Sequence, residues 1–420
     1  MSSHAAAPVR RPLLTPGVLV LLALMAVGFA CALARFLFGL GAVTHLDNQY
    51  PWGIWIAIDV ATGVALAAGG FTAAALVHVF HRRRYESVTR SALLTALLGY
   101  TFVVLGILVD LGRYYNIWHP IVPAMWSGHS ALFEVAMCVM AYLTVLYLEF
   151  MPIVVERFAG RVRLPGPVRL LDRFVEGALR LFDRTLSRVM WVFIILGVVL
   201  STLHQSSLGT LMLLAPHKMH PLWWTPILPL LFFLSALAVG FPMVIFESLA
   251  AARAFRREPE MDVLAPLARI IPVLLFVYLA FKVGDIAIRG AVHLLLDGST
   301  AALMFLLEVG LGVLLPLLML LSSRVRRSPM LLFSAATLVV LGVAFNRINV
   351  FLTAYTPVYK LTTYFPSVGE IAVTVGLIAG LLFVYRVLVT VFPVLPGEGH
   401  AGEERARDRR VIGAPLPGGG

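Results

Sequence analysis

The stretch Gln49-Tyr50-Pro51-Trp52-Gly53-Ile54-Trp55-Ile56-Ala57-Ile58-Asp59-Val60-Ala61-Thr62-Gly63 decides how the chain is read. A proline and two tryptophans open a long apolar run, and a bare carboxylate, Asp59, follows seven residues after Trp52. On a helix rising 1.5 Å per residue, Asp59 lies roughly 10 Å below Trp52. Tryptophan favours the membrane–water boundary. With Trp52 at that boundary, Asp59 is inside the bilayer, where a charge costs at least ~2.5 kcal/mol and needs a partner or a proton. An acid in that position is a candidate functional residue.

The composition supports the membrane setting. Of 420 residues, 60% are hydrophobic and 13% charged, against about 25% charged in soluble domains. The net charge of +11 does not indicate nucleic acid, because the basic residues form short clusters between apolar runs rather than one arm or face. The two cysteines, Cys31 and Cys138, both lie in apolar segments. Two thiols fall short of the roughly four that an iron–sulfur cluster needs, and of a disulfide framework. The first apolar run, Gly17 to Phe38, has a basic start at Arg10-Arg11 and a cleavage-like Ala32-Leu33-Ala34. It exceeds the ~7–15 residues of a signal-peptide core, and more spans follow it, so it reads as a retained helix.

Ten segments reach the ~20 apolar residues needed to span a bilayer: 17–40, 53–79, 91–112, 128–150, 189–213, 224–250, 267–291, 300–322, 330–352 and 368–392. The fold class is all-α, polytopic. Arg82-Arg83-Arg84 and Arg90 follow the second segment, Arg157, Arg161, Arg163, Arg169 and Arg173 the fourth, Arg253, Arg256 and Arg257 the sixth, and Arg324, Arg326 and Arg327 the eighth. The other loops are poor in Lys and Arg, so both termini are expected in the cytoplasm. The stretch 152–188 has apolar residues at helical spacing (Leu170, Leu171, Phe174, Val175, Leu179, Phe182) beside Arg173, Arg180 and Arg184. It reads as a basic amphipathic helix on the inner leaflet. Residues 1–16 and 396–420 read as cytoplasmic tails, the second disordered, around a transmembrane domain of 17–395.

An internal repeat divides that domain. Ala65-Leu66-Ala67-Ala68-Gly69 corresponds to Ala236-Leu237-Ala238-Val239-Gly240, Leu132-Phe133-Glu134-Val135 to Leu306-Leu307-Glu308-Val309, and Asp110 with Arg113 to Asp285 with Arg289. The separations are nearly equal, and corresponding helices share an orientation, which describes a parallel repeat about the membrane normal. Two four-helix bundles are expected, segments two to five (53–213) and six to nine (224–352), flanked by segments one and ten.

In segment four, Ser127, Ser130, Glu134, Cys138 and Ala141 share one helix face. Glu134 is placed at the depth of Asp59, with Asp110 just inside the same surface and His129, Tyr114 and Tyr115 at the mouth. Three carboxylates from three helices are thus expected together in the outer third of the membrane. For Asp110 a structural pairing with Arg113, one turn away, is the better reading. Asp59 and Glu134 have no such cation on their own helices and read as proton-exchanging groups. In the second bundle Lys282, Asp285 and Arg289 share one face and can neutralise each other. Glu308 has no local partner except Lys282 across the bundle, and Asn346, Arg347 and Asn349 can complete a polar path. Metal-ligand spacing and phosphate-binding loops are absent from the sequence. The histidines His78, His129, His204 and His293 lie at different depths or in different bundles, which argues against a haem pair. A secondary transporter also suits parallel repeats with buried carboxylates, although Pro242, Pro272 and Pro316 have no matched breaks in the first bundle.

These residues resemble a known family. Asn48-Gln49-Tyr50-Pro51-Trp52-Gly53 leading to Asp59 and Gly69-Gly70-Phe71, then Asp110-Leu111-Gly112-Arg113, then His129-Ser130-Ala131-Leu132-Phe133-Glu134, resemble three successive helices of the NrfD/PsrC family of quinone-interacting membrane subunits. Ten segments and Asn346-Arg347-Ile348-Asn349 most resemble the branch of that family that serves as membrane subunits of periplasm-facing [NiFe] hydrogenases. The resemblance spans about 17 to 395. It implies a bacterial inner-membrane protein whose only small-molecule partner is a quinone, menaquinone or ubiquinone, without haem or an iron–sulfur cluster of its own. It implies electrons from a ferredoxin-like iron–sulfur subunit on the periplasmic side, fed by hydrogenase small and large subunits. By match to the family pattern, Asp59, His129 and Glu134 would lie at the quinone, with Ser130, Tyr50 and Trp52 nearby. Asp110, Arg113, Lys282, Asp285 and Glu308 are candidates for a proton path. A quinol-oxidising subunit of another respiratory complex shares the same pattern.

Overall fold

The computed structural model describes residues 6–9, 11–82, 85–158, 172–359 and 363–396. The proposed disordered tail beyond 396, and Arg169, Leu170 and Leu171 of the amphipathic stretch, lie outside the described residues. Among the described residues, ten helices are long and apolar enough to cross a membrane. They are α1 (Pro16–Phe38), α2 (Trp55–Val79), α3 (Glu86–Asp110), α4 (Ala131–Phe158), α5 (Asp172–Leu213, spanning from Arg188), α6 (Leu228–Ala254), α7 (Met261–Ile288), α8 (Thr300–Leu321), α9 (Pro329–Thr353) and α10 (Val368–Val391). Two isolated β-bridges are the only extended pairing among the described residues.

Local sequence explains the ends. Pro16 opens α1, where its missing N–H costs nothing. Gly39, at φ +90, closes it with its N–H on the Arg35 carbonyl. Ser299, Ser328 and Ser367 cap α8, α9 and α10, the last in a full capping box with Glu370. Helix α5 is one continuous 42-residue rod, about 63 Å long at 1.5 Å per residue. The amphipathic residues from 172 onward therefore continue the membrane span without a break.

Helices α2 to α5 pack in a ring, as do α6 to α9, and the rings meet where α2 lies on α6 and α9 and α5 on α6. Helices α1 and α10 pack as a pair against α3, and α10 also reaches α2. Small residues set the closest crossings. A Cβ on Gly376 would stand 2.7 Å from the Gly28 Cα, and one on Gly312 2.5 Å from the Gly342 Cα, so α1–α10 and α8–α9 meet backbone to backbone.

Chain alternation gives the molecule a Trp52 end and an arginine end. At the arginine end, arginines from the start of α3, the end of α4 and the segment after α6 converge on the end of α10 and the residues that follow it. Arg157 Nε donates to Val391 O at 2.8 Å, Arg90 Nη1 to Pro393 O at 3.0 Å, and Arg257 Nη2 to Pro396 O. Arg157 thereby satisfies a carbonyl that the α10 terminus leaves open, and the other two fix the chain that follows it.

Candidate functional site

The Trp52 end carries three polar groupings rather than one. The first surrounds Asp59. Its turn belongs to a π-helical stretch, Trp55–Thr62, a wide turn held in part by Thr62 Oγ1 donating to Ala57 O at 2.8 Å. Asp59 is 9% exposed and its Oδ2 accepts the Thr374 hydroxyl of α10 at 2.7 Å. One turn toward the surface, Trp55 Nε1 donates to Glu370 O at 3.0 Å. Glu370 Oε1 accepts from Tyr364 Oη at 2.5 Å and its Oε2 from the Ser367 N–H at 2.8 Å. Tyr364 accepts the Ile54 N–H at 3.0 Å and stacks on Tyr50 at 5.9 Å. Burial, then its bond to Glu370, pushes the Tyr364 phenol far above its ordinary range, so it remains a donor. Gly53 is needed here, since a Cβ would stand 2.3 Å from Tyr364 Oη. Trp52 packs edge-on to Phe351 of α9 at 6.1 Å.

Asp110 belongs to this side as well, but its expected pairing fails. No ion pair joins it to Arg113, which is exposed, among the described residues. The nearby cation is Arg35 of α1, which interacts with Asp110 through space. Arg35 is 1% exposed, donates from Nε to Val109 O at 2.6 Å and from Nη2 to Leu111 O, and lies 5.0 Å from the Tyr114 ring. The end of α3 turns Arg113 outward while α1 brings a cation from the inside.

The second grouping lies between α4 and α5. Glu134 stands in the first turn of α4, shallower than expected, and is exposed rather than buried. The helix starts at Ala131, not 128, which removes a turn of depth. Its Oε1 accepts the Ser207 hydroxyl of α5. His129 is exposed in the preceding loop, and Ser130 Oγ accepts the Phe133 N–H at 3.3 Å. Asp59 and Glu134 therefore bond to different helices, α10 and α5, while Asp110 stays on the Asp59 side, so the expected three-carboxylate cluster does not form. From Ser207, polar residues continue inward along α5: Gln205, His204 and Ser201, all buried. His204 Nδ1 lies 3.1 Å from Tyr100 Oη, and Tyr100 meets Tyr142 edge-on at 4.5 Å. His204 Nε2 and Gln205 Oε1 have no hydrogen-bond partner among the described residues, and Ser201 lies beside Tyr100 and Tyr142. Beyond them Glu149 lies against Gly197, where a Cβ would stand 2.8 Å from Glu149 Oε1. On facing α4 and α5, carboxylates, hydroxyls and one imidazole thus follow one another from the Trp52 end inward. Separately, Tyr385 of α10 donates to Glu247 Oε1 of α6 at 2.8 Å.

The third grouping is in the second ring. Lys282 bonds Glu308, as expected, rather than Asp285. Glu308 also accepts from Asn346 and Asn349 Nδ2, each at 2.8 Å, and from Trp223 Nε1 at 2.9 Å. Asp285 pairs with Arg289 at 2.7 Å and accepts the Thr225 hydroxyl at 2.6 Å. Arg347, fully buried, donates to Asn346 Oδ1 at 2.6 Å and Ser235 Oγ at 2.8 Å, 3.7 Å from the Phe232 ring. A small cleft lined by Thr225, Asp285, Lys282, Tyr278 and Asn346 leads to this network. Of the repeated Asp–Arg pairs, only the second forms among the described residues.

Arg35, Ser207, Thr374, Tyr364 and Glu370 did not stand out in the sequence, because each acts through a partner on a distant helix. Glu149 and Glu247 carried the same signal as Asp59, a carboxylate in an apolar run. They fell at expected rims that the longer helices α4 and α6 place inside.

A polytopic all-helical protein with carboxylates on several of its membrane helices fits the membrane subunits of redox complexes. The signature described as "Polysulphide reductase, NrfD" matches residues 42–358, and the chain belongs to that family. It is 35% identical over 397 residues, 94% of this chain and 96% of the relative, to the "Probable Ni/Fe-hydrogenase 2 b-type cytochrome subunit" of Escherichia coli (strain K12). It is 27% identical over 388 residues, 86% and 87% of the two chains, to the "Menaquinone reductase, integral membrane subunit" of Nitratidesulfovibrio vulgaris. A selenate reductase subunit from Mesobacillus selenatarsenatis is 23% identical over 383 residues, 84% and 88% of the two chains.

The first of these names implies a b-haem. His204 is the histidine buried deep among the helices, and its ring packs at 5.4 Å on Tyr100. Its partners among the described residues include no second imidazole, and Tyr100 and Tyr142 fill the space beside it. These residues do not fit a bis-histidine haem.

Proposed function

We propose that the chain is the membrane-anchoring, quinone-reactive subunit of a respiratory oxidoreductase. In this reading the Trp52 end faces the periplasm and both termini the cytoplasm. Electrons come from a [NiFe] hydrogenase through a ferredoxin-like iron–sulfur subunit and pass to menaquinone or ubiquinone, with no haem in this chain. The observation that carries the reading is the open Glu134–Ser207 pair at the Trp52 end, continued inward by His204 and Tyr100. Relatives named as a hydrogenase subunit and as a menaquinone reductase subunit support it.

The chemistry needs such an array. Quinone takes up two electrons and two protons to become quinol, and both oxygens must be protonated where water is scarce. Glu134 gives a proton to a quinone oxygen, and its carboxylate is reprotonated through the hydroxyl of Ser207. His129 and Ser130 line the approach to Glu134, and Asp59 stands on the α10 side as a second acid, with Tyr50 and Trp52 on its side. The Lys282–Glu308 network, with Asp285, gives the second ring a charge pair through which protons can be translocated. The test is to purify the chain from its native membrane. Co-purification with an iron–sulfur protein and a hydrogenase, without stoichiometric haem absorbance, is expected; a haem spectrum at one or two per chain overturns the reading.

A further inference from the structure

Helices α2 and α10 are joined by a two-rung ladder. Trp55 and Asp59, four residues apart on α2, face Glu370 and Thr374, four apart on α10. The upper rung is Trp55 Nε1 to Glu370 O at 3.0 Å, and the lower is Thr374 Oγ1 to Asp59 Oδ2 at 2.7 Å. All four residues are at least nine-tenths buried.

The lower rung is unusual for a threonine in a membrane helix. Thr89, Thr101, Thr144, Thr185 and Thr337 each turn the hydroxyl back to the carbonyl four residues earlier, the local bond that helical threonines favour. For Thr374 that carbonyl is Glu370 O. It already receives the helical N–H four residues on, and Trp55 takes its second lone pair. The indole therefore occupies the acceptor four residues back; Thr202 and Thr390 bond the carbonyl three back instead, and Thr374 takes neither but gives its proton to Asp59. Gly106 of α3 closes the other side, since a Cβ there would stand 3.0 Å from Asp59 Cβ.

We infer that Thr374 is the positioning residue of Asp59, and that Trp55 sets it by occupying the Glu370 carbonyl. The donated hydroxyl fixes one carboxylate oxygen. Among the described residues no hydrogen bond to the other oxygen, Oδ1, accompanies it, so the Thr374 hydroxyl is the group that orients the carboxylate. The functional consequence rests on Asp59 acting in quinone reduction; the geometry does not.

The test uses the full-length chain purified from membranes, with ¹³C-labelled aspartate and difference infrared spectroscopy. The Asp59 band is identified by its loss in Asp59→Asn. Thr374→Val, which keeps the shape and removes the donor, displaces that band; Thr374→Ser, which restores the donor, returns it. Trp55→Phe displaces it as well, and the double variant Trp55→Phe/Thr374→Val shows no further displacement, because both act through one bond. An unmoved band in Thr374→Val overturns the inference, and a band that moves there but not in Trp55→Phe overturns the part given to Trp55. In the assembled complex, Thr374→Val lowers quinone-linked turnover roughly tenfold, as loss of a hydrogen bond to a charged group does. Full turnover in Asp59→Asn contradicts the role of Asp59 in the reaction and leaves the infrared result to judge the ladder.

Discussion

Lys282 of α7 and Glu308 of α8 form an ion pair inside the second ring of helices, with 4% and 2% of their surfaces exposed. Four donors converge on the Glu308 carboxylate, so each of its oxygens is fixed by two hydrogen bonds. Removing one member of such a pair strands the other charge, at a cost of about 3–5 kcal/mol. Lys282→Met is expected to lower the amount of folded protein in the membrane sharply. Lys282→Met with Glu308→Gln is expected to recover much of it. Detergent-extracted yield and thermal unfolding check both.

Asp110 and Arg35 give a second structural prediction. Arg35→Met leaves the Val109 and Leu111 carbonyls without their donor and Asp110 without its cation, each lost bond costing about 1–3 kcal/mol. It should reduce assembled protein, as should Asp110→Asn. Arg113→Ala should leave the amount unchanged, because Arg113 is exposed and unpaired with Asp110. Membrane content by immunoblot separates the three.

Backbone contact between α8 and α9 gives a third. A side chain at Gly342 meets the Gly312 Cα at 2.3 Å, and backbone cannot move aside as a side-chain tip can. Gly342→Val should destabilise the protein by at least the ~1–3 kcal/mol of an overpacked core, seen as a lower unfolding temperature in detergent.

The orientation is checked by fusion. A reporter placed after Phe392 should be active only in its cytoplasmic form if, as proposed, the arginine end is the inner one. Periplasmic activity there contradicts the topology.

The ten spans were legible because hydropathy alone sets them, and each segment read from the sequence coincides with a helix. The pairing of polar groups was legible only where one partner was already conspicuous. Glu308 is the bare charge of an apolar run and Lys282 the cation closest to it in depth, so their meeting could be expected. A span started at 128 puts Glu134 two turns deep, whereas the helix begins at Ala131 and leaves it open. Thr374 and Ser207 are ordinary helix residues in sequence; only the packing of α10 on α2 and α5 on α4 turns their hydroxyls to carboxylates. Arg113 was chosen for Asp110 by spacing on one helix, and Arg35 displaced it from another.

The central claim is that Glu134 passes a proton to quinone, and Glu134→Gln tests it most directly. Glutamine keeps the shape and the bond to Ser207 but cannot change its protonation state. The variant should assemble with its partners, and the outer enzyme should still reduce an artificial electron acceptor. Quinone-linked turnover should fall by the ~10²-fold typical of a lost acid–base group. Full quinone-linked turnover in the assembled variant would contradict the account.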